Sequence, residues 1–383
     1  MSAKVEARVR ALGGAQRLVV KVGSGLLASW AAQLDRGIAR GVVQQVCDLL
    51  DDGVEVVLVS SGAVALGCER LGLDERPADI PTIQAAAAIG QGELMALYGA
   101  AFAERGRTSS QVLLTHADLA DRRRYLNARH ALVRLLELGA VPVINENDTV
   151  AVDELKVGDN DNLAAQVVSL VGADVLILLT DIDGVHDVDP RRDGGARRIP
   201  IIAEGAALPP GAFGSAASDL SVGGMATKVD AARKVGAAGV PTVIVDGHGP
   251  GVLRGLLGGE DLGTLFLGAP KALASRKAWI AGLNPSGSLI VDEGAIGALT
   301  SGGRSLLPAG IRDVEGEFER GEPVSILGPD GREAARGLTA YSADEVLKIR
   351  GKGSAEISAA LGYHLEDEVV HRDDLVLVAP DGG

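Results

Sequence analysis

The sequence predicts an α/β fold of three layers, α/β/α, built on a mainly parallel sheet and followed by a small β-rich domain. Three observations carry this. Short apolar runs such as Glu55–Ser60 and Val175–Thr180 alternate with longer helical patterns over the first two thirds of the chain, the rhythm of a parallel sheet with helices on both faces. Aromatic residues make up only 3% while Ala, Gly, Val and Leu abound, a composition suited to helices packed closely on β-branched strands. From Lys277 onward the rhythm changes to short strands separated by turn signals, Asn284-Pro-Ser-Gly287 and Gly328-Pro-Asp-Gly331. With 383 residues, 46% of them hydrophobic, the chain can bury two cores. The expected division is residues 1–268, a linker at 269–276, and residues 277–383.

Residues 18–22 form the first strand and run into Gly23-Ser-Gly-Leu-Leu-Ala28, which fits the dinucleotide pattern G-x-G-x-x-A. Such a site should carry an acidic residue at the end of its second strand to hold a ribose. Here Glu55–Ser60 ends in Ser60 and Ser61, so the dinucleotide reading is rejected. Lys21, at the end of the first strand, together with the glycine-rich turn, suggests a phosphate cradle instead. A helix over 35–52 links these strands, and Ser60-Ser-Gly-Ala63 enters another, offering N–H groups and hydroxyls to an anion; a plain N-cap by Ser61 is the simpler alternative.

Residues 81–105 read as an Ala-rich helix, 111–115 as a strand, and 118–139 as a charged amphipathic helix. No series of aromatics interleaves its arginines, which fits a solvated or subunit-facing surface better than a nucleic-acid contact. Val141-Pro-Val-Ile144 is a buried strand that stops abruptly at Asn145-Glu-Asn-Asp148. Gly158-Asp-Asn-Asp-Asn162 then opens a helix over 162–171. Turn and cap chemistry alone would account for these residue types, but ligands in open α/β sheets bind beyond the carboxyl ends of strands, where this cluster should lie. Val175–Thr180 is the most apolar strand and so central, ending at Thr180-Asp181. Residues 185–221 look irregular, like a flap. Val222-Gly-Gly-Met-Ala-Thr-Lys228 places two glycines and a lysine at a helix N-terminus without forming a Walker A loop. Strands at 241–245 and 264–267 complete the sheet.

Composition excludes several classes. A net charge of −14 repels phosphate backbones and anionic membranes, so an anionic ligand needs local positive charge. No run approaches the roughly 18 apolar residues of a membrane helix and the N-terminus lacks a signal-peptide core, so a cytoplasmic protein is expected. Cys47 and Cys68 fall in helices and read as buried free thiols, and the six His residues show no metal-ligand spacing.

Taken together, Lys21-Val-Gly-Ser24, Ser60-Ser-Gly-Ala63, Asn145-Glu-Asn-Asp148, Gly158-Asp-Asn-Asp-Asn162, Leu179-Thr-Asp181 and Gly223-Gly-Met-Ala-Thr-Lys228 resemble the amino-acid kinase family. They are most similar to its members that phosphorylate the side-chain carboxylate of L-glutamate. The tail, with Val291-Asp-Glu-Gly294, Ser305-Leu-Leu-Pro308 and His371-Arg-Asp-Asp-Leu375, resembles a PUA domain, a small β-barrel.

The resemblance implies ATP as phosphoryl donor, Mg2+ carried mainly on the nucleotide, and the opening step of proline synthesis. Lys21 and Lys228 would be the catalytic cations, with Asp161 orienting them. Ser61, Asp148 and Asn160 would hold glutamate. Lys21, Thr180, Asp181, Val222, Gly223, Gly224, Met225, Ala226, Thr227 and Lys228 would hold the nucleotide. No protein-held metal site is implied. The resemblance further implies inhibition by L-proline, a possible partnership with glutamate-5-semialdehyde dehydrogenase (γ-glutamyl phosphate reductase), and a homo-oligomer, dimer or tetramer. A sibling kinase of N-acetylglutamate or aspartate is the alternative, though a free α-amino group calls for a carboxylate such as Asp148. RNA binding through the tail is disfavoured, because residues 271–383 hold 12 Lys and Arg against 18 Asp and Glu. Gly25 and Val222 depart from the family pattern, each removing a hydroxyl.

Overall fold

The computed structural model describes residues 3–27, 35–73, 75, 77–151, 159–190, 194–209, 224–269 and 280–378. The chain divides into two compact units, Met1–Pro270 and Lys271–Gly383.

In the first unit β1 (Arg17–Val22), β2 (Glu55–Ser60), β3 (Thr108–Leu114), β4 (Ala140–Glu146), β5 (Val175–Thr180), β6 (Ile201–Ile202), β7 (Thr242–Asp246) and β8 (Thr264–Phe266) form one sheet. Its order is β3-β4-β2-β1-β5-β7-β8-β6, and among its pairings only β7 with β8 is antiparallel. From β1 the chain builds outward first through β2 and later through β5, so the order reverses at the β1/β5 seam, the place where ligands bind beyond the carboxyl ends of strands in open α/β sheets. The most apolar strand, β5, is flanked by β1 and β7 as its composition predicts.

The period of two along β1 divides the core. Leu18, Val20 and Val22 pack on the face covered by the helices Arg36–Asp51 and Ile80–Ala103. Val19 packs on the other face, under the helices Asp159–Val171 and Met225–Ala237. Lys21, two residues on, must share the face of Val19. A lysine is thereby aimed beneath the first turns of two helices. On the opposite face the helices Ala63–Leu71 and Ile80–Ala103 meet through glycines. A Cβ on Gly67 would lie 1.8 Å from the Ala86 carbonyl oxygen, and one on Gly90 only 1.9 Å from that of Ala63.

Two local readings change. The charged helix expected over 118–139 is two helices, His116–Ala120 and Arg122–Glu137. Thr115 and Asp118 form a capping box and the Asp121 carboxylate caps the second helix, so the acidic residues that look like helix interior are start signals. Ser61 does not cap the helix it precedes: Gly62 is the N-cap, in the left-handed region at φ 112°, and the Ser61 hydroxyl is used elsewhere. Cys47 and Cys68 are free and buried in helices, as expected. No helix among the described residues is long and apolar enough to cross a membrane.

In the second unit β9 (Gly287–Val291), β10 (Ile311–Gly316), β11 (Pro323–Leu327), β12 (Glu333–Leu338) and β13 (Leu375–Leu377) pair in the order β10-β9-β11-β12-β13. Leu289, Val324, Ile326, Tyr341 and Val346 give it a core of its own.

Candidate active site

The first group of side chains converges where β1 meets the two helices above it. Lys21 Nζ lies 2.6 Å from Asp161 Oδ1, and Lys228 Nζ lies 3.4 Å from Oδ2 of the same carboxylate. Asp161 comes from the first turn of Asp159–Val171 and Lys228 from the first turn of Met225–Ala237. All three are buried, Asp161 completely. Burial alone would push the Asp161 carboxyl up, but Lys21 and Lys228 outweigh it and hold the carboxyl below its usual range. Burial pushes the Lys21 ammonium down, opposed by Asp161 and reinforced by the like charge of Lys228. One carboxylate thus serves two ammonium groups, leaving a net positive charge in an acidic protein. Thr227 Oγ1 also donates to Asp161 Oδ2, at 2.8 Å, and lies 2.9 Å from the Gly224 carbonyl oxygen.

The second group lies at the ends of β2 and β4. Asn160 Nδ2 donates to Ser61 Oγ at 2.8 Å and to Asn145 Oδ1 at 2.9 Å. Both N–H groups of that amide are then used. Asn160 Oδ1 is buried and has no hydrogen-bond partner among the described residues. Because Ser61 Oγ accepts from Asn160, its own hydrogen is left for another acceptor. The pair therefore offers a ligand one acceptor and one donor, the complement of an ammonium beside a carboxylate. Asp148 sits half-buried in the turn after β4, and Gln84 Nε2 donates to the Ala151 carbonyl of that stretch at 3.2 Å.

The third group follows β5. Thr180 is buried and donates to Asp181 Oδ1 at 3.1 Å. Gly25 faces the same carboxylate: a Cβ there would lie 3.6 Å from Asp181 Oδ1. Gly224 is the N-cap of Met225–Ala237 and supplies no side-chain cap to that helix start. Gly223 and Val222 lie outside the described residues.

The sequence model of the amino acid kinase family matches residues 16–246, which contain all three groups. The chain belongs to the amino acid kinase family. A PUA domain matches residues 287–361, within the second unit. Over 368 residues this amino acid kinase is 50% identical to the glutamate 5-kinase of Burkholderia multivorans, covering 96% of the chain and 99% of that protein. Glutamate 5-kinases from Geobacter sp. strain M21 and Pseudomonas syringae pv. tomato are each 52% identical, covering 95% of the chain and 98% of their own length.

Three residues of this amino acid kinase escape sequence reasoning. Gln91, in the middle of Ile80–Ala103, accepts from Asn145 Nδ2 at 2.8 Å. Tyr98 on the same helix is fully buried, its hydroxyl 2.8 Å from Ser60 Oγ, and burial pushes its phenol up to about 12. Asn145 is visible in the sequence only as part of a polar cluster, not as the hub of an amide network. A polar side chain within an apolar helix is the available signal for Gln91 and Tyr98, but it does not name a partner.

Proposed function

We propose that this chain transfers the γ-phosphoryl group of ATP to the side-chain carboxylate of L-glutamate, giving L-glutamyl 5-phosphate and ADP. The observation that carries the reading is the adjacency of Asn160 and Asp161. One residue serves a donor–acceptor pair suited to an α-amino acid; the next holds two buried lysines suited to a phosphoryl group.

The chemistry needs little more than position and charge. A glutamate carboxylate with a pKa of ~4.3 is ionised at neutral pH, so the nucleophile requires no general base. The transferring phosphoryl group is stabilised by cations, and Lys21 and Lys228 would supply them. At an effective dielectric of ~20 a charge pair at ~4 Å is worth about 4 kcal/mol, so a single lysine matters. Asp161 keeps the two lysines from repelling each other before the nucleotide arrives. Ser61 would donate to the α-carboxylate and Asn160 Oδ1 accept from the α-ammonium, with Asp148 as its counter-charge. Thr180, Asp181 and the helix N-terminus at 224–228 would hold the nucleotide.

Both Asp161 oxygens are engaged by lysines, so that carboxylate is not free to hold Mg2+, which would be carried by the nucleotide phosphates and would neutralise part of their charge. L-Proline carries the same carboxylate beside a cationic nitrogen and would compete at Ser61 and Asn160. An acyl phosphate hydrolyses in water, so a reductase that consumes it promptly is the expected partner. An ATP-dependent hydroxamate assay over a panel of amino acids and N-acetylated analogues tests reaction and substrate together. Glutamate should give the acyl hydroxamate; a panel in which N-acetylglutamate or aspartate reacts and glutamate does not would overturn the reading.

A further inference from the structure

Asn145 has a fixed polarity. Its Oδ1 accepts from the backbone N–H of Glu146 at 2.9 Å, and a backbone N–H can only donate. The Nδ2 end must therefore point the other way, where it meets Gln91 Oε1 at 2.8 Å. The remaining lone pair of Asn145 Oδ1 takes Asn160 Nδ2 at 2.9 Å. Polarity passes along the chain: the Glu146 N–H orients Asn145, Gln91 holds the Asn145 Nδ2 end in place, Asn145 orients Asn160, and Asn160 is left with its buried Oδ1 unpartnered among the described residues. Turning the Asn160 amide over would bring two oxygens against each other at Asn145, and would present N–H groups where a cation is to bind.

We propose that Gln91, which is linked to Asn160 through Asn145, is a positioning residue that holds the Asn160 carboxamide with its oxygen toward the ammonium group of the substrate. The proposal rests on the amino-acid reading of the Ser61–Asn160 pair. Gln91 comes from the helix on one face of the sheet and Asn160 from the helix on the other, with the end of β4 between them. Without the acceptor at position 91, Asn145 Nδ2 loses its partner and the Asn145 side chain is free to rotate off Asn160. Ammonium binding weakens as a result, while the lysines and the nucleotide are untouched. The effect belongs to KM for the amino acid and not to the chemical step.

The test compares Gln91→Leu, which removes the acceptor, with Gln91→Glu, which keeps one. The full-length enzyme is assayed with each substrate varied in turn, and Gln91→Leu is crystallised without ligands. The expected result is a KM for glutamate raised at least about 10-fold in Gln91→Leu, with KM for ATP and kcat within about 3-fold of wild type, and substantial recovery in Gln91→Glu. The crystal structure should show Asn145 turned away from Asn160. A glutamate KM within 2-fold of wild type, equal changes in both KM values, or failure of Gln91→Glu to recover would each overturn the proposal. Were wild type to turn over no glutamate, the functional reading would fall by itself. The variant's crystal structure would still decide the relay: an intact Asn145–Asn160 hydrogen bond refutes it whatever the substrate is.

Discussion

Lys21 Nζ lies 2.6 Å from Asp161 Oδ1, and neither side chain exposes more than 4% of its surface. A buried ion pair is poor evidence for stability, because desolvation of both charges offsets most of the attraction. Its place beside a second lysine at the β1/β5 seam argues that its value is functional. Lys21→Ala and Lys228→Ala should each lower kcat on the order of 10²-fold or more, since each removes a cation from the transferring phosphoryl group. Lys21→Ala leaves Asp161 still paired with Lys228, so no unpaired buried charge results and the unit should remain folded. Near-normal turnover in either variant would contradict the assigned roles.

The glycines at the crossing of Ala63–Leu71 and Ile80–Ala103 are a packing requirement. At Gly67 and Gly90 an added Cβ would sit 1.8 Å and 1.9 Å from backbone carbonyl oxygens, which cannot rotate away. The helices would have to separate. Gly67→Ala and Gly90→Ala should each cost about 3 kcal/mol or more, well beyond an ordinary surface Gly→Ala change, whose effect in a helix is favourable. Because Ala63–Leu71 starts two residues after Ser61, both should also raise KM for glutamate. Wild-type thermal stability in either variant would mean that the helices cross less tightly than described.

In the second unit Glu345 accepts from Arg320 at 2.5 and 3.0 Å and from the backbone N–H of Ser342 at 2.9 Å, with the Tyr363 hydroxyl as a further donor. Burial alone would raise its carboxyl, but these donors bring it down to about 2. A carboxyl whose folded value is depressed contributes stability above its unfolded value, and loses it as pH falls through the folded value. The contribution of Glu345 is therefore complete above about pH 4.5 and fades toward pH 2. Glu345→Gln should be less stable than wild type at pH 7, with the difference shrinking across that window. A difference that stays constant from pH 7 to pH 2 would show that the ion pair contributes nothing.

What could be read from the sequence follows how local each cause is. Strand β5 is legible because six consecutive buried residues need no partner to be recognised. Lys21 is legible as a charge at the end of an apolar strand, and Asp161 and Lys228 through motifs at two helix starts. Their meeting on one carboxylate is a consequence of the sheet order, and it is the family resemblance, not local pattern, that anticipates it. Thr227 is assigned by resemblance to the nucleotide, yet its hydroxyl reaches Asp161, a hydrogen bond between residues 66 positions apart. Gln91, on a helix, and Asn145, at a strand end, are 54 positions apart, and nothing in either neighbourhood points to the other. Ser61 shows the converse error: the local cap chemistry is plausible, but Asn160 takes the hydroxyl.

Every residue given a role in phosphoryl transfer lies between Lys21 and Lys228, inside the unit Met1–Pro270. The second unit has its own sheet and its own buried core. We therefore expect a chain ending at Gly268 to fold and to keep glutamate kinase activity. Such a chain gives up the hydrogen bond from Ala269 N to Gly236 O, at 2.8 Å, but keeps the one from Leu267 N to Ile202 O, at 2.9 Å, which ties β8 to β6. Its kcat should stay within about 10-fold of the full chain, with any inhibition by proline, a binding equilibrium, altered more than turnover. Circular dichroism establishes folding and the hydroxamate assay reads activity. A truncated chain that is folded and binds ATP but transfers no phosphoryl group would mean that the second unit completes the active site.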